Sequence, residues 1–338
     1  MKSFSSLPAA KLRVVLFLTF AVAFSLAVAM GSALYISAVH AAGETLEGEW
    51  TARTSTKHLG EVQLNFTRRS ENGYNNNGET YKLSEIKGLA DNALTSASRV
   101  DVQFSVERDA GSILCDGMFR DGMGAGFWKF VPNNGFRSEM RNRGYGPLTD
   151  EEMLRATFSN LTTKYIDELK SAGYGDLDFK GLIRASNHDI TVAYIKEMKG
   201  SYPSLTMEEL IRARNHDVDA TTIKQVREMG FDKQPLETVI RMQNHEITPD
   251  FIASMKSAGF NDLSIETLIR LKNHDVTPQF VNDIRSEGYN DLSPETAIRL
   301  MSHDVDRDFI RKAKSQGYTN VTLEQMVRLK DRGTVKED

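Results

Sequence analysis

The sequence predicts an α+β multidomain protein, with a small antiparallel β domain followed by an α-solenoid of two-helix repeats. Three observations predict this class. A segment of about 29 residues recurs from near Phe136 onward, and its best-matched copies begin at Thr248 and Thr277. Such a period is typical of stacked repeat architectures. Before the array, apolar and polar residues alternate with a period of two, as in half-buried strands. An apolar run precedes both parts.

The chain therefore divides into four predicted segments. Residues 1–42 are a signal peptide or signal anchor, and residues 44–134 form the β domain. Residues 135–335 contain about seven helical repeats, and residues 336–338 are a charged tail. A chain of 338 residues is long enough for two domains with buried cores.

The N-terminal segment predicts export. Basic residues Lys2, Lys11 and Arg13 precede the apolar run at 14–39, an order that places the following chain outside the cytoplasm. Small residues around Ala41 suit cleavage, but the run is long enough to span a bilayer. Cleavage and retention both stay open. Either outcome makes the body of the protein extracytoplasmic, periplasmic or membrane-anchored, with residues 14–39 as its membrane contact if uncleaved.

Alternation predicts strands at 62–66 and 100–106, followed by strand-like residues through Phe130. Gly122-x-Gly124-x-Gly126 resembles a phosphate-binding loop, but it opens no helix, so we predict a glycine-rich hairpin. Cys115 lies in an alternating stretch without a nearby histidine. We predict a half-buried structural thiol there.

Each repeat predicts two short helices. In the copy at Thr277, threonine caps the first helix, Pro278 begins it and Gly288 ends it in a left-handed conformation. Ser293 and Pro294 open the second helix in the same way. Helix pairs this small bury their apolar faces by stacking, which predicts a solenoid. Two copies depart from the pattern, at 200–203 and 234–235, where we predict local distortion.

Histidines recur at one repeat position and are followed each time by Asp or Glu. The candidates for a metal row are His216, His245, His274 and His303, with His188 one repeat earlier. Histidine and carboxylate are metal ligands, but a histidine at a helix end also favours the helix dipole. Successive repeats would separate these rings by roughly 10 Å, too far to share one zinc ion. We therefore predict no metal site.

Arginines form a more regular row. Its members are Arg155, Arg184, Arg212, Arg241, Arg270, Arg299 and Arg328. A row of guanidinium groups can bind carboxylate-rich peptides or anionic polymers, and the candidate binding residues are Arg212, Arg241, Arg270 and Arg299. A glutamate precedes six of the seven by four residues. That spacing favours ion pairs within each helix, and we predict that most of the row is neutralised locally.

Composition and motifs exclude several functions. A net charge of −4 does not favour nucleic acid. One cysteine excludes an intrachain disulfide and any zinc cluster of two thiolates. His245-Glu246 does not continue as a zinc-protease motif, and no catalytic triad or phosphate loop stands out. We predict no enzyme activity and no cofactor.

The chain resembles bacterial exported proteins of unassigned function, in which a glycine-rich strand segment precedes helical repeats. It is also similar to repeats appended to membrane metallopeptidases of the β-lactam-sensor type. The resemblance covers about residues 45–335 and rests on Arg108-Asp109-Ala110-Gly111, Gly117-Met118-Phe119, 122–126 and the repeats from Phe136. The chain departs from that pattern by having Asp or Glu where glycine often follows the histidine, and by lacking a peptidase domain. The resemblance implies an extracytoplasmic sensing or interaction module, without catalytic residues.

The leading functional hypothesis is thus a non-enzymatic scaffold that binds a protein or peptide through the solenoid surface, with a role in envelope sensing. The first alternative is a module that binds an anionic or cell-wall polymer through the arginine row. The second is a metal-dependent enzyme that uses the repeated His and Asp residues.

Overall fold

The computed structural model describes residues 45–54, 60–70 and 73–336. The predicted signal segment, 1–42, and residues 337–338 of the predicted tail lie outside the described residues. The chain divides into two compact units, Met1–Thr162 and Thr163–Asp338. The predicted fold class is confirmed: an antiparallel sheet comes first, and a series of short helices follows it.

The first unit contains one seven-stranded sheet. Its strands are β1 (Glu47–Thr54), β2 (Glu61–Ser70), β3 (Gly73–Lys82), β4 (Ile86–Lys87), β5 (Val100–Arg108), β6 (Gly111–Arg120) and β7 (Met123–Pro132). A 3-10 turn, Leu83–Glu85, links β3 to β4. The strand order is β3-β2-β1-β7-β6-β5-β4, and every neighbouring pair is antiparallel. The strands predicted at 62–66 and 100–106 lie within β2 and β5.

Aromatic side chains fill the inner face of the sheet. Trp50 packs on Phe104 and Phe119, with ring centroids 5.0 and 5.6 Å apart. Trp128 meets Phe66 edge-on at 6.3 Å. Both indole N–H groups are satisfied, since Trp50 Nε1 donates to the Asp116 carbonyl at 3.0 Å and Trp128 Nε1 donates to a β1 carbonyl at 3.1 Å. The alternation in the sequence thus marks one buried face.

Three glycines make room for Trp50. A Cβ on Gly117 or Gly126 would lie 2.7 Å from the indole, and one on Gly124 would lie 2.8 Å from it. Only Gly122, at φ +74°, occupies the turn of the predicted hairpin. The hairpin is present, but two of its three glycines belong to strand β7, where they allow close packing.

Three helices complete the first unit: α1 (Asp91–Thr95), α2 (Asn134–Asn142) and α3 (Asp150–Phe158). The ring of Phe158 lies 5.6 Å from that of Phe66 and 6.1 Å from that of Trp128. Glu151, at the start of α3, pairs with Arg68 of β2. The first repeat-like helix pair therefore packs with the sheet, on the N-terminal side of the division at Thr162.

The second unit consists of six helix pairs. They are α4 (Thr163–Ser171) with α5 (Phe179–Asn187), α6 (Val192–Lys199) with α7 (Met207–Asn215), α8 (Ala220–Glu228) with α9 (Leu236–Asn244), α10 (Pro249–Ser257) with α11 (Ile265–Asn273), α12 (Pro278–Ser286) with α13 (Pro294–Ser302), and α14 (Arg307–Ser315) with α15 (Leu323–Asp331). Buried aliphatic residues of successive pairs form a continuous cluster, shown by Leu271, Ile284, Leu300 and Ile310. This is nearest-neighbour stacking of repeats.

Helix ends follow the predicted chemistry. The Thr277 hydroxyl accepts from the Phe280 amide, and Pro278 begins α12. Gly288 follows that helix at φ +96°. Equivalent glycines close four of the other first helices of this unit: Gly173, Gly230, Gly259 and Gly317. Both predicted departures are local: Gly200 is right-handed at φ −59°, and Pro235 caps α9 without a side-chain hydrogen bond.

Second helices end differently. The residue after each row histidine is left-handed but is not glycine: its φ is 50° at Asp189, 53° at Asp217, 51° at Glu246, 53° at Asp275 and 52° at Asp304. In the sequence each of these carboxylates comes shortly before the next helix N-terminus, whose dipole favours negative charge. The backbone conformation explains more directly why the family pattern that this chain resembles often has glycine after the histidine. Glycine adopts a left-handed conformation without steric cost.

We expect opposite effects from two substitutions at these helix ends. Gly288→Ala should lower the free energy of unfolding by about 1 to 2 kcal/mol, because a Cβ disfavours positive φ although no atom lies within 4 Å of it. Glu246→Gly should raise it by about 0.5 to 1 kcal/mol by relieving the same cost. Urea unfolding followed by far-UV circular dichroism measures both. Equal signs for the two changes would contradict this account.

Among the residues that the structure describes, none of the helices has the length and apolarity needed to cross a membrane.

Candidate functional site

The arginine row is paired between repeats. Arg212 lies 2.8 Å from Glu237, Arg241 lies 2.7 Å from Glu266, and Arg299 lies 2.8 Å from Glu324. The Arg184 guanidinium holds both Glu208 oxygens, one of them at 2.7 Å. Each partner lies 24 or 25 residues further along the chain.

The prediction of pairs within each helix was wrong for Arg212, Arg241 and Arg299, each of which follows a glutamate by four residues. Arg184 follows Lys180 at that spacing, so no such pair was predicted for it. All four guanidinium groups reach the first turn of the next repeat's second helix. Arg270, also a predicted binding residue, forms no ion pair with any residue described in the structure. The pairs of Arg212, Arg241 and Arg299 are exposed, so each of these three contributes about 0.2 to 1 kcal/mol. Their main effect is to connect neighbouring repeats in one register.

The histidine row caps the second helices. His216, His245, His274 and His303 are all C-cap residues. His274 Nδ1 lies 3.1 Å from the Ser302 hydroxyl, and His303 Nδ1 lies 2.8 Å from Asp331. Across the described ranges, no group of three or more His, Cys, Asp or Glu side chains is placed to hold a metal ion. His274 and His303 therefore make contacts between repeats.

A second row of cations was not recognised in the sequence. It lies eight residues after each first-helix cap in the second unit: Lys170, Lys199, Arg227, Lys256, Arg285 and Lys314. Lys199 donates to the Ala172 carbonyl at 2.8 Å and lies over the Tyr174 ring at 4.5 Å. Arg285 and Lys314 make the same two contacts with Phe260 and Tyr289 and the carbonyls before them.

Lys199, Arg285 and Lys314 satisfy the carbonyl end of the preceding first helix, where the helix dipole favours positive charge. They also stack on an aromatic face. The sequence signal for this row was its constant spacing of eight residues after the cap of each first helix. It was missed because the row mixes lysine and arginine, whereas the other row is arginine throughout.

Tyrosines add a hydrogen bond between repeats. The Tyr174 hydroxyl donates to the Leu205 carbonyl at 2.7 Å, Tyr202 to Gln234 at 2.8 Å and Tyr289 to Val321 at 3.0 Å. Burial is the main reason that the pKa values of these tyrosines are raised above the usual value. Each phenol thus remains a neutral donor at physiological pH.

Tyr174→Phe should lower the free energy of unfolding by about 1 kcal/mol, because the Leu205 carbonyl loses its donor. Tyr318 occupies the same position in the last repeat, and its hydroxyl has no hydrogen bond to the described residues. Tyr318→Phe is therefore the matched control, with an expected change below about 0.5 kcal/mol. Equal losses in the two variants, measured by denaturant unfolding, would contradict the role of the hydroxyl.

Glu287 collects three cations from the last repeat. Arg311 lies 2.7 Å from its carboxylate, Arg307 lies 3.3 Å away and Lys314 lies 3.4 Å away. Chiefly through the Arg311 hydrogen bond, this environment holds the pKa of Glu287 below its ordinary value. A carboxyl whose pKa is lower in the folded protein contributes stability above its unfolded pKa and loses it as pH falls through the folded pKa.

Glu287→Gln should therefore destabilise the protein most at neutral pH. We expect the difference from the parent to shrink as the pH falls below about 4.3, the ordinary value for glutamate. Glu295→Gln is the control, since Glu295 forms no ion pair with the described residues. The test is the unfolding free energy of the parent and both variants, measured from neutral to acidic pH. If the difference between Glu287→Gln and the parent did not depend on pH, the role of the carboxylate charge would be contradicted.

Two of the open clefts in the described part of the chain are large enough for a partner. One, of about 950 Å³, lies between α4 and α6 in the second unit, and Lys164, Asp167, Glu168 and Lys196 contribute to its lining. The other, of about 630 Å³, lies on the outer face of the sheet. Tyr74 and Phe127 line that second cleft and are 67% and 61% exposed.

Cys115 is buried rather than half-buried, with 4% of its surface exposed. Burial, followed by the nearby Asp116 carboxylate, raises the pKa of its thiol above the usual range. A thiol in this environment stays protonated and is a poor nucleophile.

No family model, curated protein or solved structure matches this chain.

Proposed function

We propose that this protein is an exported interaction module that binds a protein or peptide partner along its helical repeats and catalyses no reaction. The observation that carries the proposal is the cleft of about 950 Å³ between α4 and α6. Its lining carries lysines and carboxylates together, with threonine and serine between them. An open, polar cleft with charges of both signs suits an extended polar peptide better than a small apolar ligand.

The repeated residues support a scaffold. Arginines of one row pair with glutamates of the next repeat, histidines cap helices, and several cations of the second row hold carbonyl groups. Side chains used in this way maintain the register of the repeats. A rigid surface lowers the entropic cost of binding a partner, because less of it must be ordered on association.

The same contacts do not favour the polymer hypothesis. Four arginines of the row lie beside a glutamate, which reduces the positive charge available to an anionic chain. If a polymer does bind there, binding should weaken steeply with salt and with the combined change of Arg241, Arg270 and Arg299 to alanine. The metal-dependent enzyme has no cluster of ligands in the described chain to support it.

Site-specific cross-linking in the intact envelope tests the proposal. A photoreactive residue replaces Ala193, which is exposed in the cleft, and a second variant carries it at Phe127 on the sheet. We expect one defined protein to be captured from Ala193. The captured protein is then purified, and its affinity is measured against charge-reversed variants.

Lys196→Glu should weaken that affinity at least fivefold, because Lys196 lines the cleft. Lys224→Glu is the matched control, since Lys224 occupies the same position one repeat later and does not line the cleft. Capture from Phe127 alone would overturn the choice of cleft. Equal affinities for the two reversed variants would do the same.

A further inference from the structure

One repeat lacks an apolar residue that the others possess. The residue before the cap of each second helix is leucine or valine in six copies: Leu148, Leu177, Leu205, Leu263, Leu292 and Val321. Leu205 and Leu292 are buried, with 8% and 3% of their surfaces exposed. In the copy that contains α8 and α9 the residue is Gln234, followed by proline.

The Gln234 side chain does not replace the missing leucine. Its amide donates to the Asp232 carbonyl at 3.3 Å, back along its own loop. A pocket of about 310 Å³ lies beside it, at the lower end of the range for small-molecule sites, roughly 300 to 1,000 Å³. The floor of the pocket is apolar, and Ile223, Val226 and Val239 contribute to it.

Positive charge lies at this pocket. Arg227 and Lys233 belong to its lining, and neither forms an ion pair with a described residue. Arg227 belongs to the second cation row, but unlike Lys199 and Arg285 it donates to no carbonyl of the described chain. Its side chain is exposed, so its guanidinium is available to a ligand and can pair with an anionic group at the mouth of the apolar pocket.

We propose that this pocket binds a branched aliphatic carboxylate, with its alkyl group beside Gln234 and its carboxylate on Arg227. The alkyl group takes the volume that leucine fills in other repeats, and the guanidinium offers two parallel donors to the carboxylate. This pocket combines several residue types that do not recur together in the other repeats. The arginine and histidine rows, in contrast, place the same residue type in successive repeats.

The probe is 4-methylpentanoate, which carries the leucine side-chain skeleton and one carboxylate. Methyl NMR of the full chain follows Val226 and Val239 during titration. We expect saturable shifts with a dissociation constant on the order of 1 mM or below, a range reached by ligands of this size. The neutral amide of the probe should bind at least tenfold more weakly. Equal binding of acid and amide, or no saturable shift with the acid, would overturn the proposal.

Three variants complete the test. Gln234→Leu should fill the pocket, raise the thermal midpoint and abolish the shifts. Arg227→Gln should weaken binding at least tenfold, while Lys256→Gln, at the same position one repeat later and outside the pocket, should leave it unchanged. Unchanged binding in a folded Gln234→Leu or Arg227→Gln variant would overturn the assignment.

Acetylglycylleucine distinguishes two sources of the same chemistry. If it binds as well as 4-methylpentanoate, the natural ligand is the C-terminal residue of a peptide. If only the small acid binds, the ligand is a free aliphatic acid. Both results support the pocket, and they differ in what fills it.

Discussion

Gly126→Ala is expected to lower the free energy of unfolding of the sheet unit by about 3 kcal/mol. The added Cβ would lie 1.9 Å from the Asp116 carbonyl oxygen and 2.7 Å from Trp50 Nε1. These two atoms form the hydrogen bond that satisfies the buried indole. The methyl group must therefore separate the strands or displace Trp50, and either movement opens the core.

Tryptophan fluorescence during urea unfolding measures this change. The chain has two tryptophans, Trp50 and Trp128, and both are buried in the sheet unit, so the signal reports that unit. Gly78→Ala is the matched control in edge strand β3. There the new Cβ would meet only the Asn65 side chain, whose end can rotate away. We expect a change below about 1 kcal/mol for the control, and a similar loss in both variants would contradict the packing argument.

The helical repeats were predictable because the residues that begin and end each helix act on their near neighbours in the sequence. A cap such as Thr277, a proline such as Pro278 and a closing glycine such as Gly288 each act within a few residues. Their order along the chain states where helices begin and end. The strands of the sheet were predictable for a similar reason, since alternation is a property of neighbouring residues.

The role of the glycines in β7 was not predictable in this way. Gly124 and Gly126 face Trp50, which lies more than 70 residues earlier in the chain. Their function depends on which strand pairs with which, and the order β1-β7-β6 is fixed by the whole sheet. A glycine-rich segment viewed alone therefore predicts only a turn, which is correct for Gly122 and incomplete for the others.

The contacts of the candidate site residues were harder to predict than the fold, because the sequence offers each row arginine such as Arg241 two possible glutamate partners. Arg241 has Glu237 four residues before it and Glu266 25 residues after it. Both spacings recur with the repeat, and the choice depends on the offset between stacked helices, which the sequence does not state. The pocket beside Gln234 did leave a signal in the sequence, since Gln234-Pro235 stands where other repeats have, for example, Leu292-Ser293. We interpreted this departure as a local distortion. A missing leucine side chain leaves a pocket only if the surrounding residues keep their positions, and the sequence does not show whether they do.

Leu300→Ala should show how much one repeat depends on the next. Leu300 is fully buried in the second helix of its repeat, and its truncation should lower the free energy of unfolding by about 3 kcal/mol. Leu329 occupies the same position in the last repeat and is only partly buried. Leu329→Ala should lower it by about 1 kcal/mol, because less apolar surface is removed from a buried environment.

Hydrogen exchange measures where each loss occurs. With stacking limited to neighbours, Leu300→Ala should increase exchange mainly in α11 to α15, while Leu329→Ala should affect α15 and its immediate neighbours. Uniform loss of protection through the second unit in both variants would contradict nearest-neighbour stacking. Leu300 and Leu329 are the same residue type at the same position in the repeat. The difference between their two losses of unfolding free energy therefore measures the stabilisation that packing against a following repeat supplies.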